Sequence, residues 1–67
     1  MSLVEKVATR LKHFREQRGM TQEQLAAKVG ISRAYLARIE TARHHLTVPM
    51  LERLAKALRV KPAAFFE

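Results

Sequence analysis

The sequence predicts an all-α fold: a single compact domain, residues 1–67, built from five short helices. Apolar residues recur at helical spacing nearly throughout, and no segment alternates apolar and polar residues as a half-buried strand would. Ser or Thr precedes each of the first four apolar stretches, where it can cap a helix. The two Gly and two Pro residues are scattered singly, so no linker divides the chain.

The first helix follows Ser2, which forms a predicted capping box with Glu5. It should end at Gly19, because glycine readily adopts the left-handed conformation that terminates helices. Helical spacing places four residues on its inward face: Val4, Val7, Leu11 and Phe14.

The second and third helices follow closely. Thr21 and Gln24 form a second predicted capping box, Gly30 ends the helix that they open, and Ser32 caps the next one. The expected inward residues of this segment are Leu25, Ala26, Val29, Ile31, Leu36 and Ile39.

The fourth helix is expected to start after Thr47, where Pro49 is tolerated in the first turn. Its buried stripe is either Met50 or Leu51, followed by Leu54, Ala55 and Leu58. The remaining apolar residues predict a short fifth helix or a turn: Val60, Pro62, Phe65 and Phe66.

The charge balance favours a polyanionic partner. Thirteen Lys and Arg residues against six Glu give a net charge of +7 and a pI near 10.9, which suits nucleic acid or an anionic membrane surface. The charges are spread over several helices that Gly residues interrupt, so a single amphipathic membrane-surface helix is disfavoured. There is no apolar run of the roughly 20 residues that a membrane span needs and no signal-like N-terminus. The absence of Cys suits a reducing cytoplasm.

The turn centred on Gly30 predicts a helix-turn-helix, because glycine permits the positive φ that a sharp turn between two helices requires. In this motif the second helix, here called the recognition helix, lies in the major groove. With Leu36 and Ile39 buried, its opposite face carries Arg33, Ala34, Ala37, Arg38 and Thr41. Arginine can donate paired hydrogen bonds to guanine, and alanine can approach thymine methyl groups. A merely solvated helix face is the alternative, which the motif and the net charge disfavour.

The segment MTQEQLAAKVGISRAYLARIE resembles the helix-turn-helix of the phage repressor and Cro family, also called the XRE family. The likeness runs from about Val7 to Phe66, and LERLAKALRV resembles the fourth helix of that family. The resemblance implies a lambda-repressor-like, five-helix domain that binds double-stranded DNA. Such domains usually act as homodimers on pseudo-palindromic sites, in the cytoplasm at the nucleoid of a bacterium or its phage.

The resemblance also implies roles for single residues. Gln22 would contact a backbone phosphate and support the first residue of the recognition helix, although a solvated glutamine is the alternative. The recognition-helix positions that would touch DNA are Ser32, Arg33, Ala34, Ala37 and Arg38. Tyr35 would pack its ring at the edge of the domain while its hydroxyl reaches a phosphate; the alternative is that it only packs.

Two further implications concern residues outside this face. Arg15 and Glu40 match a partly buried salt bridge between the first and third helices, which would orient the recognition helix. Arg43 and His44 would contact phosphate from the following loop. Thr41-Ala42 replaces the Asn-Gly or Arg-Gly that the family often has there, and the loop is about one residue longer than in the shortest members, which makes these loop contacts less secure.

No catalytic constellation is present. The six Glu residues are scattered, and no Gly-rich phosphate loop occurs. His44 and His45 lack a third ligand at suitable spacing, so a solvated loop or a phosphate contact is favoured over a metal site. We therefore expect no enzyme activity, no metal and no cofactor, and the compact chain suggests no domain for a small-molecule effector.

The sequence thus predicts a DNA-binding transcriptional regulator. The alternative is a protein-interaction module such as an antitoxin, although a toxin-binding tail would usually extend beyond the core. The expected dimer surface is the C-terminal end, because adjacent Phe65 and Phe66 cannot both face the same core from one helix. Leu46 and Val60 would complete this apolar patch; the alternative is that both rings cover the base of the core.

Overall fold

Four α-helices and one 3-10 helix make up the fold in a computed structural model that describes all 67 residues. The elements are Leu3–Gln17 (α1), Gln22–Val29 (α2), Arg33–Glu40 (α3), Val48–Leu58 (α4) and the 3-10 helix Pro62–Phe66. The predicted all-α class is confirmed, and the expected fifth helix is this 3-10 helix. No helix is at once long enough and apolar enough to traverse a bilayer.

The predicted N-terminal caps are all present. The Ser2 hydroxyl accepts from the Glu5 N–H at 3.2 Å and the Glu5 carboxylate accepts from the Ser2 N–H at 2.9 Å; Thr21 and Gln24 repeat this arrangement. Ser32 and Thr47 accept from the backbone N–H groups three residues on. Each cap satisfies a donor that the helix itself leaves unpaired, so short-range signals define where four helices begin.

A residue in the left-handed conformation follows each of the four α-helices. Gly19 and Gly30 have φ of 67° and 76°, although α1 itself stops at Gln17. After α3 and α4 the same conformation falls on Ala42 (φ 59°) and Arg59 (φ 58°), where a Cβ atom makes it unfavourable.

The core lies where α1, α2, α3, α4 and the 3-10 helix meet. Leu51 rather than Met50 is its first residue from α4, and Phe65 seals the base with its ring edge-on to Phe14 at 5.5 Å. The expectation for Val4 was wrong: the residue is 41% exposed, because it lines an open groove at the start of α1 and is not enclosed by the core. The buried apolar residues are Val7, Ala8, Leu11, Leu25, Ala26, Val29, Leu36, Ile39, Leu51, Leu54, Ala55, Leu58 and Phe65.

Candidate nucleic-acid interface

The connection between α2 and α3 is a tight turn. Gly30 ends α2 in the left-handed conformation, and the Ile31 N–H donates to the Ala26 carbonyl at 2.9 Å. Ile31 is half-buried against the core, and Ser32 starts α3. The backbone therefore passes from α2 to α3 through a turn of three residues, as in a helix-turn-helix.

The outer face of α3 is mostly open to solvent. Arg33, Ala34 and Arg38 are exposed, while Ala37 is half-buried. Leu36 and Ile39 on the opposite face are fully packed, with at most 2% exposure. Arg33 and Arg38 are thus carried about 1.4 helical turns apart on a helix whose inner face is anchored.

Free backbone donors stand at the starts of α2 and α3. The Ser32 hydroxyl accepts from the Tyr35 N–H at 3.0 Å, and the Thr21 hydroxyl accepts from the Gln24 N–H at 3.0 Å. The first two N–H groups of each helix lie ahead of these capped positions and remain without an intrahelical partner. Such N–H groups, with the positive end of the helix dipole, attract phosphate oxygens.

The loop after α3 is tied to the recognition helix. The Arg43 N–H donates to the Arg38 carbonyl at 2.9 Å, and the His44 ring meets the Tyr35 ring edge-on at 4.7 Å. Arg43 and His44 are exposed, whereas Tyr35 is half-buried and packs against the core as expected. A contact of its hydroxyl with phosphate stays a prediction. No cluster of three His, Cys, Asp or Glu side chains exists here or elsewhere in the protein.

Arg15 and Glu40 form the expected ion pair between α1 and α3. Arg15 Nε donates to Glu40 Oε2 at 2.7 Å and Arg15 Nη2 donates to Glu40 Oε1 at 3.2 Å. The third nitrogen, Nη1, donates to the Met20 carbonyl at 2.7 Å. The side chains are only 10% and 2% exposed. This bidentate geometry fixes the last residue of the recognition helix to α1 and to the turn before α2.

Gln22 joins the same network. Its Nε2 donates to Glu40 Oε1 at 3.0 Å, so the amide is attached to the last residue of α3. The implied support of the first residue, Arg33, is not observed. The second amide N–H of Gln22 and the adjacent backbone N–H groups at the start of α2 are still free to donate to a phosphate.

Of the four residues expected at a dimer surface, only Leu46 and Phe66 lie together. Phe65 is completely buried in the monomer and cannot contact a partner, whereas Phe66 is 44% exposed. The reason is the tight 3-10 geometry, which turns adjacent side chains to different sides. Val60 lies half-buried beyond the far end of α4, so it does not join Leu46 and Phe66.

An apolar groove of about 170 Å³ contains Leu46 and Phe66. Sequence reasoning missed its other exposed walls, Leu3, Val4 and Val48, which are 60%, 41% and 69% exposed. The sequence signal that could have revealed these walls is the presence of apolar residues in the first turns of both α1 and α4. His44 and His45 also line the groove, so the loop after α3 touches both this groove and the recognition face.

Comparison with known proteins identifies the fold and the family. A family model described as Helix-turn-helix matches residues 11–65. The chain is 43% identical over 58 residues to an immunity repressor protein of Bacillus phage phi105, which covers 87% of this chain and 40% of the repressor. It is 37% identical over 60 residues to the HTH-type transcriptional regulator y4dJ of Sinorhizobium fredii, with 90% and 78% covered. The chain therefore spans less than half of the phage repressor.

Solved structures share the whole fold. The restriction-modification controller protein C.AhdI of Aeromonas hydrophila superimposes with a TM-score of 0.90 at 30% identity, covering 94% of this chain and 96% of that protein. The controller protein C.Esp1396I, solved as a tetramer with its natural 35 base-pair operator, superimposes with a TM-score of 0.87 at 39% identity, covering 98% and 87%. The chain belongs to the helix-turn-helix family of the repressor and Cro type, a family of DNA-binding transcriptional regulators.

Proposed function

We propose that the chain is a sequence-specific, double-stranded DNA-binding transcriptional regulator that inserts α3 into the major groove. One observation carries this proposal: an exposed face with two arginines and two small residues lies on a helix whose opposite face is fully buried. A rigid helix of this width fits the major groove, where each base pair presents a distinct pattern of donors and acceptors. In the cell, the proposed partner is DNA of the nucleoid.

Arg33 is the residue proposed to read a base. It is the first residue of α3 and it is exposed, so its side chain extends beyond the helix start toward the floor of a groove. Arginine most often pairs with guanine O6 and N7, which is worth about 1–3 kcal/mol of discrimination. Arg38 lies about 1.4 turns further along α3 and is also exposed.

Gln22 and the start of α2 are proposed to hold the phosphate backbone. The Gln22 amide is immobilised by Glu40, so one N–H can point outward without a large loss of side-chain entropy. Arg43 and His44, held beside Tyr35, would contact the backbone on the other side of the recognition helix.

A homodimer is the proposed active form, with the apolar groove between the start of α1, the loop after α3 and Phe66 as its interface. Four large apolar side chains in this region are more than 40% exposed, which is typical of an association surface. The groove adjoins the loop that carries Arg43, so a two-fold axis through it would place two recognition helices on one face of the duplex. Half-sites should then lie about 10 base pairs apart, centre to centre.

The relatives support this assignment by their names, which include a phage immunity repressor and restriction-modification controllers, one of them solved on its operator. The proposed role of this chain is to bind an operator and thereby regulate transcription.

The test starts with selection of bound duplexes from a random pool, which yields the operator and its symmetry. Wild type, Arg33→Ala and Gln22→Ala are then titrated against every single-base change in that operator. Arg33→Ala should weaken the selected site and flatten the preference at one base pair in each half-site. Gln22→Ala should weaken all duplexes by similar factors, because phosphate contacts carry no sequence information.

Lys12→Ala is the matched control, since Lys12 is an exposed cation on α1, away from α3. It should leave the base preferences unchanged, and circular dichroism should verify that every variant is folded. Wild-type affinity should also fall steeply with added salt. A uniform loss of affinity in Arg33→Ala, with base preferences intact, would show that Arg33 clamps a phosphate and would refute its role in base reading.

A further inference from the structure

A second, strongly basic surface lies away from the recognition helix. A shallow cleft between α2 and α4 is lined by Lys28, Arg53, Lys56 and Arg59, and it continues past Arg59 to Arg18 at the end of α1. The two parts have volumes of about 600 and 450 Å³ and share Lys28 and Arg59. No acidic side chain lines either part. These five residues are called the basic cleft below.

Hydrogen bonds anchor two of its guanidinium groups. Arg18 Nε donates to the Leu58 carbonyl at 2.8 Å, and Arg53 donates to the Val29 carbonyl. Both carbonyls belong to the last residues of helices. Arg18 Nη2 also donates to the Arg59 carbonyl at 3.4 Å, so one edge of each guanidinium is satisfied while the opposite edge stays free. The one ion pair of the protein joins Arg15 to Glu40, so no carboxylate neutralises the basic cleft.

Stabilisation of helix ends explains only part of this charge. The helices α1, α2 and α4 all end at the cleft, and each C-terminus carries about half a negative charge. Three ends supply about −1.5 against five full positive charges, which leaves an excess of about +3.5. A cleft that only compensated helix dipoles would need no more than two of these cations.

The cleft is remote from both surfaces already described. The eight residues of α2 separate Gln22 from Val29 by about 10 Å along the helix axis. The eleven residues of α4 separate Val48, at the apolar groove, from Leu58 by about 15 Å. The basic cleft therefore lies at the opposite end of α2 from Gln22 and at the opposite end of α4 from the apolar groove.

We propose that the basic cleft docks an acidic segment of a partner protein. Small-molecule sites enclose most of the ligand within mainly apolar walls, whereas this cleft is shallow and mostly cationic. Its distance from the duplex-facing N-terminus of α2 argues against the operator itself as the occupant. Charge complementarity favours an extended segment with several carboxylates, each able to meet one of the five cations.

The experiment measures binding of a fluorescein-labelled peptide in which glutamate alternates with serine, using its glutamine counterpart as the neutral control. Fluorescence anisotropy is followed with free protein and with protein saturated by an operator duplex. Because the free-protein arm contains no DNA, its result does not depend on whether operator selection succeeds. The acidic peptide should bind in both arms, the glutamine peptide in neither, and added salt should weaken the complex.

Charge reversal locates the site. Lys28→Glu with Lys56→Glu should weaken the peptide complex by about tenfold or more, because two exposed attractions become repulsions. Lys12→Glu with Lys61→Glu is the matched control, since both residues are exposed, lie outside the cleft and change the net charge equally. It should change peptide affinity by much less.

Three results would overturn the proposal. The first is that the control pair Lys12→Glu with Lys61→Glu loses as much peptide affinity as the cleft pair, and the second is that the operator duplex releases the peptide. The third is that inorganic pyrophosphate binds more tightly than the peptide and depends on Lys28 and Lys56 in the same way. The first would indicate general electrostatic attraction and the second binding at the recognition face. The third would identify a phosphate site instead of a protein-docking surface.

Discussion

Replacing Glu40 with alanine removes the acceptor of three hydrogen bonds at once. Two come from Arg15 and one from Gln22. The Arg15 side chain is 10% exposed, so water cannot fully replace the lost carboxylate. Breaking one side of a buried ion pair costs about 3–5 kcal/mol. We expect about 3 kcal/mol, because Arg15 retains its bond to the Met20 carbonyl.

This loss is large for so small a domain. A chain of 67 residues has a free energy of unfolding of roughly 3–10 kcal/mol. Glu40→Ala should therefore lower the melting temperature by about 12–24 °C. If the wild-type free energy of unfolding lies near the lower end of its range, the variant should also be measurably unfolded at 37 °C. Urea unfolding followed by circular dichroism measures the change directly.

A double-mutant cycle tests the pairing itself. Arg15→Ala with Glu40→Ala should cost less than the sum of the single changes, by about 0.5–3 kcal/mol. Replacement of the pair by Arg15→Met with Glu40→Leu should restore much of the stability, because a buried ion pair adds little over apolar packing. If the pair orients α3, this apolar variant should nevertheless bind operator DNA with weakened base preference. Additive single changes would mean that the two side chains do not interact in solution, and unaltered base preference would exclude the orienting role.

Three further perturbations test other parts of the structure. Phe66→Ala should weaken dimerisation by roughly 30-fold, as expected for a buried aromatic anchor, while Val60→Ala should leave it unchanged. Sedimentation at tens of micromolar measures both. A loss of dimer in Val60→Ala but not in Phe66→Ala would place the interface at the far end of α4. Ala42→Gly should raise stability by about 1 kcal/mol by relieving a left-handed backbone at φ 59°, and an unchanged urea midpoint would mean that the loop relaxes without it. The Ser2 N–H lowers the pKa of Glu5 below the ordinary 4.5, so the stabilisation of α1 is complete above that pH and is lost as pH falls through the lowered pKa. Ser2→Ala should raise the Glu5 midpoint in an NMR titration through loss of the hydroxyl contact; an unmoved midpoint would show that the backbone donor alone sets it.

Helix starts, the turn and most of the core were predictable from the sequence because they depend on residues a few positions apart. A capping box joins residues three apart, as Ser2 and Glu5 do, and its geometry is set by the local backbone. Gly30 specifies a left-handed turn without reference to the rest of the chain. Helical periodicity then selects the inward face of each helix, and the core residues of α2 and α3 follow from it.

The identity of the ion pair needed more than periodicity. Arg15 and Glu40 are 25 positions apart, and only the resemblance to a known family suggested that they meet. The contact from Gln22 to Glu40 was not anticipated, because it depends on how α2 crosses the end of α3.

Surfaces composed of several elements were decided by tertiary structure alone. Periodicity could not tell which of Phe65 and Phe66 faces the core, and it placed Val4 inward although this residue lines an open groove. The basic cleft was equally hidden, since Arg18, Lys28 and Lys56 look like isolated surface charges on three separate helices. Only the packing of α2 against α4, which brings three helix C-termini together, concentrates them. Local sequence determines each helix because its hydrogen bonds close over four residues, whereas shared surfaces depend on crossing geometry that the whole core must satisfy at once.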